Sequence, residues 1–336
     1  MPEPPATFRA FVAERDDATV RRGVREFGRA ELPDGDVLVC VEWSSVNYKD
    51  ALATIANGKV ARISPLVPGI DLAGVVVESS DLSFPVGQRV LANGYDLGVA
   101  RHGGYSEYER LPADWVVPLP DGLTTREAMA IGTAGFTAGM SVAALQERGL
   151  NPGDGPVLVT GASGGVGSFA TAILARNGFE VWAMTGKADE ADRLKVLGAT
   201  EVIDRSVLAE GAGRALESER WAGAIDSVGA ATLPYILRTL RRGAGVAASG
   251  NASGPEVNTT VFPFILRSVF LVGIDSAAMP IGRRRNLWGR LARDLRPNDL
   301  GDAITEIGLE ELPGAFDAIL AGEARGRWVV RVAPEG

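Results

Sequence analysis

The chain has one cysteine, Cys40, and one histidine, His102, among 336 residues. A single cysteine excludes any disulfide framework within the chain. Together the two fall short of zinc chemistry, which takes about three Cys, His or carboxylate ligands at a catalytic site and typically four cysteines at a structural one. Positive charge is also scarce: 34 Lys and Arg stand against 42 Asp and Glu, a formal net charge of −8. That balance argues against a general nucleic-acid surface, because phosphate backbones select basic patches. No uninterrupted apolar run approaches 18 residues, and MPEPPATFRAF at the amino end lacks a basic-then-apolar signal pattern. The expectation is a reduced, cytoplasmic setting with neither membrane nor nucleic acid as partner. No internal repeat or low-complexity tract is evident.

What the chain does have is length enough for two domains, since single cores rarely grow past roughly 250–300 residues. Hydrophobic residues make up 46% and charged residues 23%, ordinary for a soluble globular protein. Over the first 120 residues, DGDVLVCVEWSSVN, PGIDLAGVVVES, VGQRVLANG and WVVPLPDG are β-rich runs between Gly, Pro and Asp turns. They predict short antiparallel strands and not a βαβ series. IGTAGFTAGMSVAALQERGL then reads as a helix dense in small residues. From Pro156 the texture changes to PVLVTG, EVWAMT, EVIDR, GAIDSVG and GVAASG, short apolar strands separated by helix-length segments. That alternation predicts a parallel, doubly wound α/β sheet, completed by a sixth strand, SVFLVGID, near residues 268–275. A basic helix (IGRRRNLWGRLARDL), a second helical segment and a final strand follow. The expected division is a nucleotide-binding domain over 128–276, inserted in a domain built from 1–127 and 277–336.

Residues 157–174, VLVTGASGGVGSFATAIL, join an apolar strand, a glycine loop and a small-residue helix. Aligned with the dinucleotide fingerprint, Ala162, Gly164 and Gly167 take its three glycine positions. Gly164 admits the backbone close to a pyrophosphate, and Gly167 lets the helix pack tightly on the strand. The helix N-terminus then directs free N–H groups and its positive dipole end at the phosphates. Alanine at the first position is a departure, with Gly161 just before it keeping the turn supple. An NAD-specific fold places Asp or Glu at the end of the second strand, on the ribose 2′-OH. Here FEVWAM runs into Thr185, Gly186 and Lys187, and Arg205 lies just past the third strand. A hydroxyl and cations there favour a 2′-phosphate, and so NADPH.

A β domain ahead of a central dinucleotide fold resembles the medium-chain dehydrogenase/reductase superfamily over essentially the whole chain. The fold it implies is a Rossmann sheet inserted in a GroES-like, mostly antiparallel β domain. Many members hold zinc. Where the zinc enzymes carry the ligand Cys of the early loop this sequence has Asn47, and where they carry the His of PGHE it has Ile70, in PGIDLAG. Without a metal there is no Lewis acid to polarise an alcohol or ketone. Such a reductase suits an already activated acceptor: an α,β-unsaturated thioester, an enone or a quinone. Hydride adds to the β-carbon, charge moves to the carbonyl oxygen, and the protein supplies donors and a proton. The candidate site is SSVNYKDAL, residues 44–52. Asn47 is a candidate carbonyl donor, Tyr48 a proton donor or a cap on the nicotinamide, and Lys49 a partner to one of them, with Asp50 alongside. Cys40, in VLVCVEW, reads as packing and His102 as a loop residue.

SSVNYKDALA, PGIDLAG, IGTAGFTA, VTGASGGVGS, WAGAIDSVG, TTVFPFILRSVFLVGIDS and GRWVVRV together resemble the acrylyl-CoA reductase family, whose members also carry quinone oxidoreductase labels. The resemblance implies NADPH-dependent reduction of acrylyl-CoA to propionyl-CoA. It also implies cofactor contacts: Tyr48 beside the nicotinamide; Ser163, Gly164, Gly165, Val166 and Gly167 at the pyrophosphate; Thr185, Gly186 and Lys187 at the 2′-phosphate. Arg205 falls at the adenine end, and Asn251, Ile265 and Ser276 along the nicotinamide side. Gly322 stands where the family has an asparagine, which leaves only a backbone contact. Arg327 matches a recurrent family arginine, a candidate for a phosphate or substrate carbonyl, and Arg283, Arg284 and Arg285 form a basic cluster suited to a CoA phosphate. A quinone or enone reductase and a non-catalytic NADPH-binding protein are the competing readings. These four arginines near a cleft mouth favour CoA, and their burial in salt bridges elsewhere would favour a quinone. The apolar edge strand near 268–275 implies a homodimer, as in relatives.

Overall fold

The computed structural model describes residues 4–16, 19–209, 213–297 and 304–333. The chain divides into two compact units: Met1–Thr133, Ala277–Ala292 and Gly301–Gly336 form one, and Ala134–Ser276 with Arg293–Leu300 the other. In chain order the first unit opens with β1 (Thr7–Asp16) and β2 (Thr19–Gly28), then β3 (Val37–Ser45) and the short helix α1 (Tyr48–Ala53). β4 (Asp71–Ser79), β5 (Arg89–Asn93), β6 (Tyr108–Leu111) and β7 (Val117–Pro118) follow. Helix α2 (Thr125–Gln146) contains the boundary between the units. The second unit then alternates β8 (Val157–Thr160), α3 (Gly165–Arg176), β9 (Val181–Thr185), α4 (Ala191–Val196), β10 (Glu201–Asp204) and β11 (Trp221–Asp226). α5 (Thr232–Thr239), β12 (Leu240–Ala248), α6 (Phe262–Arg267) and β13 (Phe270–Gly273) complete it. The first unit resumes with α7 (Ile281–Leu291), β14 (Ile304–Gly308), α8 (Leu312–Leu320) and β15 (Arg327–Arg331).

The second unit is the expected doubly wound fold. Its sheet runs β10-β9-β8-β11-β12-β13, every pair parallel, with the strand order reversing between β8 and β11 as in dinucleotide-binding sheets. β8 (VLVT) and β11 (WAGAID) are buried at every position, which is why they read as continuous apolar runs and show no alternation. Leu158, Trp221, Ile236 and Val246 form the core between sheet and helices.

The first unit carries the antiparallel strands. Its larger sheet runs β14-β15-β3-β4-β5-β7, and β6 also pairs with β3; β14–β15 is parallel. Phe11, Val39, Val76, Tyr105 and Phe316 belong to one core, with Phe11 edge-on to Phe316 at a centroid distance of 5.7 Å. The β1–β2 hairpin lies outside the strands legible in the sequence. β2 (TVRRGVREFG) is charged and mostly half-buried or exposed, with only Phe27 buried, so it lacks a clean alternating pattern. Helix α2 kinks at Gly132, whose φ of 50° and ψ of −161° lie outside the helical region. Its apolar window, with mean hydropathy 1.5, is long enough to cross a membrane, yet 83% of it is buried; its apolarity serves the interior.

Glu109, on β6 opposite Val39 of β3, is fully buried, and neither carboxyl oxygen has a hydrogen-bond partner. Burial pushes its carboxyl well above the usual range, because desolvation penalises the ion. Above the ordinary carboxylate value the unfolded chain ionises while the folded one retains the proton, so stability falls as pH rises. Glu109→Gln removes that fall. Urea melts from pH 4 to 8 should show the variant gaining on the parent by up to about 1.4 kcal/mol per pH unit within that window; parallel curves would exclude an ionisation difference at this position.

Candidate active site and dinucleotide loop

In the first unit, four segments meet on one carboxylate. Asp71, at the start of β4, has no solvent exposure. It accepts from Ser45 Oγ at 2.5 Å, Asn47 Nδ2 at 2.8 Å, Thr133 N at 3.0 Å and Thr133 Oγ1 at 2.5 Å. Arg327, at the start of β15, completes the set at 3.4 Å. The guanidinium also donates to the carbonyls of Val46 and Ala130, to Asn47 Oδ1 and to Ser45 Oγ. A Cβ at position 132 would fall 2.2 Å from the Arg327 guanidinium and 2.8 Å from the Asp71 carboxylate. Only glycine fits there, both for that approach and for the positive φ.

Asn47–Asp50 is a helix start. The expected row of polar groups is instead the cap and first turn of α1. Asp50 is buried and accepts from Asn47 N and Nδ2 and from the backbone N–H groups of Gly69 and Ile70. Burial first, and then the charge of Asp71, raises its carboxyl to about 6. Three expectations are corrected here. The Asn47 amide is spent on Asp50 and Asp71, so it is not a carbonyl donor. Asp50 holds backbone N–H groups, and Arg327 is enclosed by protein acceptors and does not reach a phosphate. Tyr48 differs: it is 58% exposed, and Lys49 beside it is half-buried.

In the second unit, the carboxyl ends of β8, β9 and β10 bring the glycine loop and the cations together. α3 starts at Gly165 with Gly164 at its cap, and no side chain caps it, which leaves its first-turn N–H groups for an anion. A Cβ on Gly167 would lie 2.4 Å from the Gly161 carbonyl, the close helix–strand approach the fingerprint requires. Ser163 and Val166 are half-buried within the loop. The parallel register pairs Asp204 with Thr185, so the next residues, Arg205 and Gly186, adjoin: a Cβ on Gly186 would be 2.8 Å from Arg205 Nε. No carboxylate stands at 185–187. The Thr185 expectation changes, because its hydroxyl is buried, bonded to Ser163 Oγ at 3.1 Å and accepting from Lys187 N. It orders the loop and is not turned outward to a phosphate.

Asn251 and Ser276 follow β12 and β13 at the same sheet edge, where Ala248 pairs with Gly273; Thr137 donates to Ser276 Oγ at 2.8 Å. Ile265, on α6, is 66% exposed. Gly322, in the first unit, has φ +72° just past α8. Sequence reasoning missed Arg193 and Asp226. Arg193 pairs with Glu190 at 2.6 Å and donates to the Ser163 carbonyl at 3.0 Å. Asp226 gathers Thr160 Oγ1 and the N–H groups of Val228 and Gly229. Asp226 lies within WAGAIDSVG, but nothing local there marks its bond to Thr160, and Arg193, on α4, reaches the loop only through the fold.

The basic cluster is also corrected. Arg284 is fully buried, donating to the carbonyls of Asn93, Ala277 and Met279 and lying 4.4 Å from the Tyr95 ring centroid. Arg285 donates to Val116 O, and Arg283 alone of the three is exposed without a structural role of this kind. His102 is buried and accepts from Val67 N–H at 3.1 Å, with burial lowering its pKa. Among the described residues no group of three or more His, Cys, Asp or Glu is placed to hold a metal. Asn47 and the apolar Ile70 do not form a zinc donor set.

Residues 33–121 match the alcohol dehydrogenase GroES-like domain, and residues 165–292 the zinc-binding dehydrogenase family. The chain is 49% identical to the acrylyl-CoA reductase AcuI of Ruegeria pomeroyi over 97% of its own length and 99% of that protein. It is 46% identical to YhfP of Bacillus subtilis, named as a quinone oxidoreductase, with 97% and 99% coverage; that protein's structure with NAD bound superposes with a TM-score of 0.95. The yhdH oxidoreductase of Salmonella enterica, solved with NADP, gives 0.94 at 46% identity, covering 97% of this chain and 100% of that one. The chain therefore belongs to the medium-chain dehydrogenase/reductase superfamily, in the family of the acrylyl-CoA reductases.

Proposed function

We propose that the chain is an NADPH-dependent reductase that converts a short 2-enoyl-CoA, acrylyl-CoA, to its saturated thioester, propionyl-CoA, without a metal. The observation that carries the reading is the sheet edge of the second unit. An uncapped helix start follows the glycine loop, and Arg205 lies against Gly186 where an NAD-specific fold would place a carboxylate. Relatives bearing the acrylyl-CoA reductase name support the substrate class.

Gly164–Gly167 would hold the pyrophosphate, and Lys187 and Arg205 the 2′-phosphate. The bound, reduced coenzyme supplies the hydride that adds to the β-carbon of the enoyl thioester. The thioester oxygen then gains charge, and the α-carbon takes a proton. Tyr48 is the exposed O–H of the candidate segment and the proton source in this reading, with Lys49 next to it. Asn47, Asp50, Asp71 and Arg327 hold the segment.

A second reading, quinone or enone reduction, is favoured by the enclosure of Arg284 and Arg327, which removes two of the four cations expected to meet CoA phosphates. Steady-state NADPH oxidation with acrylyl-CoA, crotonyl-CoA and a simple quinone in parallel separates the two. The expected result is a kcat/KM for acrylyl-CoA well above that for the quinone; comparable values would overturn the acyl-CoA reading. Replacing both cations, Lys187→Ala with Arg205→Ala, removes charge-assisted hydrogen bonds of about 1.5–3 kcal/mol each. NADPH affinity should fall about a hundredfold or more by that measure while NADH affinity holds; an equal loss for both coenzymes would contradict the 2′-phosphate assignment.

The same reading includes a homodimer through the edge strand β13. Its backbone is open at the sheet edge, and Phe262, Ile265, Leu266 and Leu271 expose apolar surface on α6 and β13. Such an edge pairs readily with a second copy. Light scattering should give twice the chain mass, and a monomer would refute it. A cytoplasmic setting accords with a lone thiol.

A further inference from the structure

We propose that Asp71 is a positioning residue for the reaction: by gathering Ser45, Asn47, Thr133 and Arg327 on one buried carboxylate, it fixes the start of α1 and hence the direction in which Tyr48 presents its hydroxyl. The proposal rests on the reading that Tyr48 serves the reduction.

Helix α1 has six residues, fewer than two turns, and a helix that short does not hold itself in water. Tyr48 is more than half exposed, so packing does little to aim it. Its orientation comes from the residue before it, and Asn47 is held on both sides of its amide: Nδ2 on Asp71 and Asp50, Oδ1 on Arg327. The same carboxylate ties in the kink of α2 through the backbone and hydroxyl of Thr133. An ionised carboxylate has about four lone-pair sites, and the five donor atoms here saturate them. Asp71 thus has no acceptor capacity left for substrate, and it acts through Asn47. A carboxamide at this position would turn N–H groups toward donors, whereas loss of the Thr133 hydroxyl removes its bond to Asp71 and a long contact from Asn93 Nδ2 at 3.4 Å while the Thr133 N–H stays on the carboxylate.

The test uses the full-length protein with fluorotyrosine placed at position 48, in the parent, Asp71→Asn, Thr133→Val and Thr133→Ser. In the parent, a single fluorine resonance from position 48 is expected. Thr133→Val should broaden or split it and lower kcat about ten- to a hundredfold, the scale of a displaced reacting group, with the KM for NADPH unchanged; Thr133→Ser should restore both. Asp71→Asn should do the same more severely, and if it fails to fold, Thr133→Val still decides. A lowered melting temperature with unchanged resonance and kcat, or a lowered kcat with an unchanged resonance, would overturn the positioning role. A parent that turns over neither acrylyl-CoA nor quinone would refute the proposed function, while the fluorine spectra would still report on positioning.

Discussion

The contact on which the first unit depends is the buried pair between Asp71 and Arg327. Two charges taken out of water cost several kcal/mol each, and their attraction offsets this only when further hydrogen bonds satisfy both. Both are satisfied here. The carboxylate has five donor atoms, and the guanidinium has two backbone carbonyls, a hydroxyl and an amide oxygen besides. The pair spans 256 residues of sequence, so the carboxyl-terminal strand and the PGIDLAG segment need each other. Removing one partner leaves the other as an uncompensated buried charge, typically a loss of about 3–5 kcal/mol.

The second unit solves a different problem by a different means. In the proposed reading it holds the phosphates of NADPH with backbone N–H groups. The uncapped start of α3 offers N–H groups and a positive dipole end. Arg193 secures the loop from behind through the Ser163 carbonyl, while Asp226 ties the end of β8 to the turn after β11. Cationic side chains also stand at the ends of β9 and β10, where Arg205 lies along Gly186. In the same reading, discrimination of a phosphorylated ribose falls to few side chains, Lys187 and Arg205.

The sequence made the second unit legible because its signals are local. Continuous apolar strands, glycines at fixed offsets and helix-length spacers each occupy fewer than about 20 residues, and β13 fell within the predicted stretch. Long-range pairing was not legible. Asp71 appeared within PGIDLAG and Arg327 within GRWVVRV as separate features, and nothing in either segment says they meet. The three consecutive arginines at 283–285 looked like one cationic patch, but helical periodicity turns Arg284 inward against Tyr95 and Asn93 while Arg283 faces out. NYKD looked like four functional groups in a row. A helix start divides such a row, sending Asp50 inward and Tyr48 outward. The charged β1–β2 hairpin escaped because its outer strand alternates poorly.

The central claim, hydride transfer from NADPH to the β-carbon of an activated thioester by a metal-free protein, is tested most directly by isotope transfer. Chelator-treated protein, acrylyl-CoA and NADPH deuterated at the transferred position should yield propionyl-CoA with deuterium at C3, read by proton and deuterium NMR. Product without deuterium at C3, or turnover that appears only when zinc is added back, would contradict it.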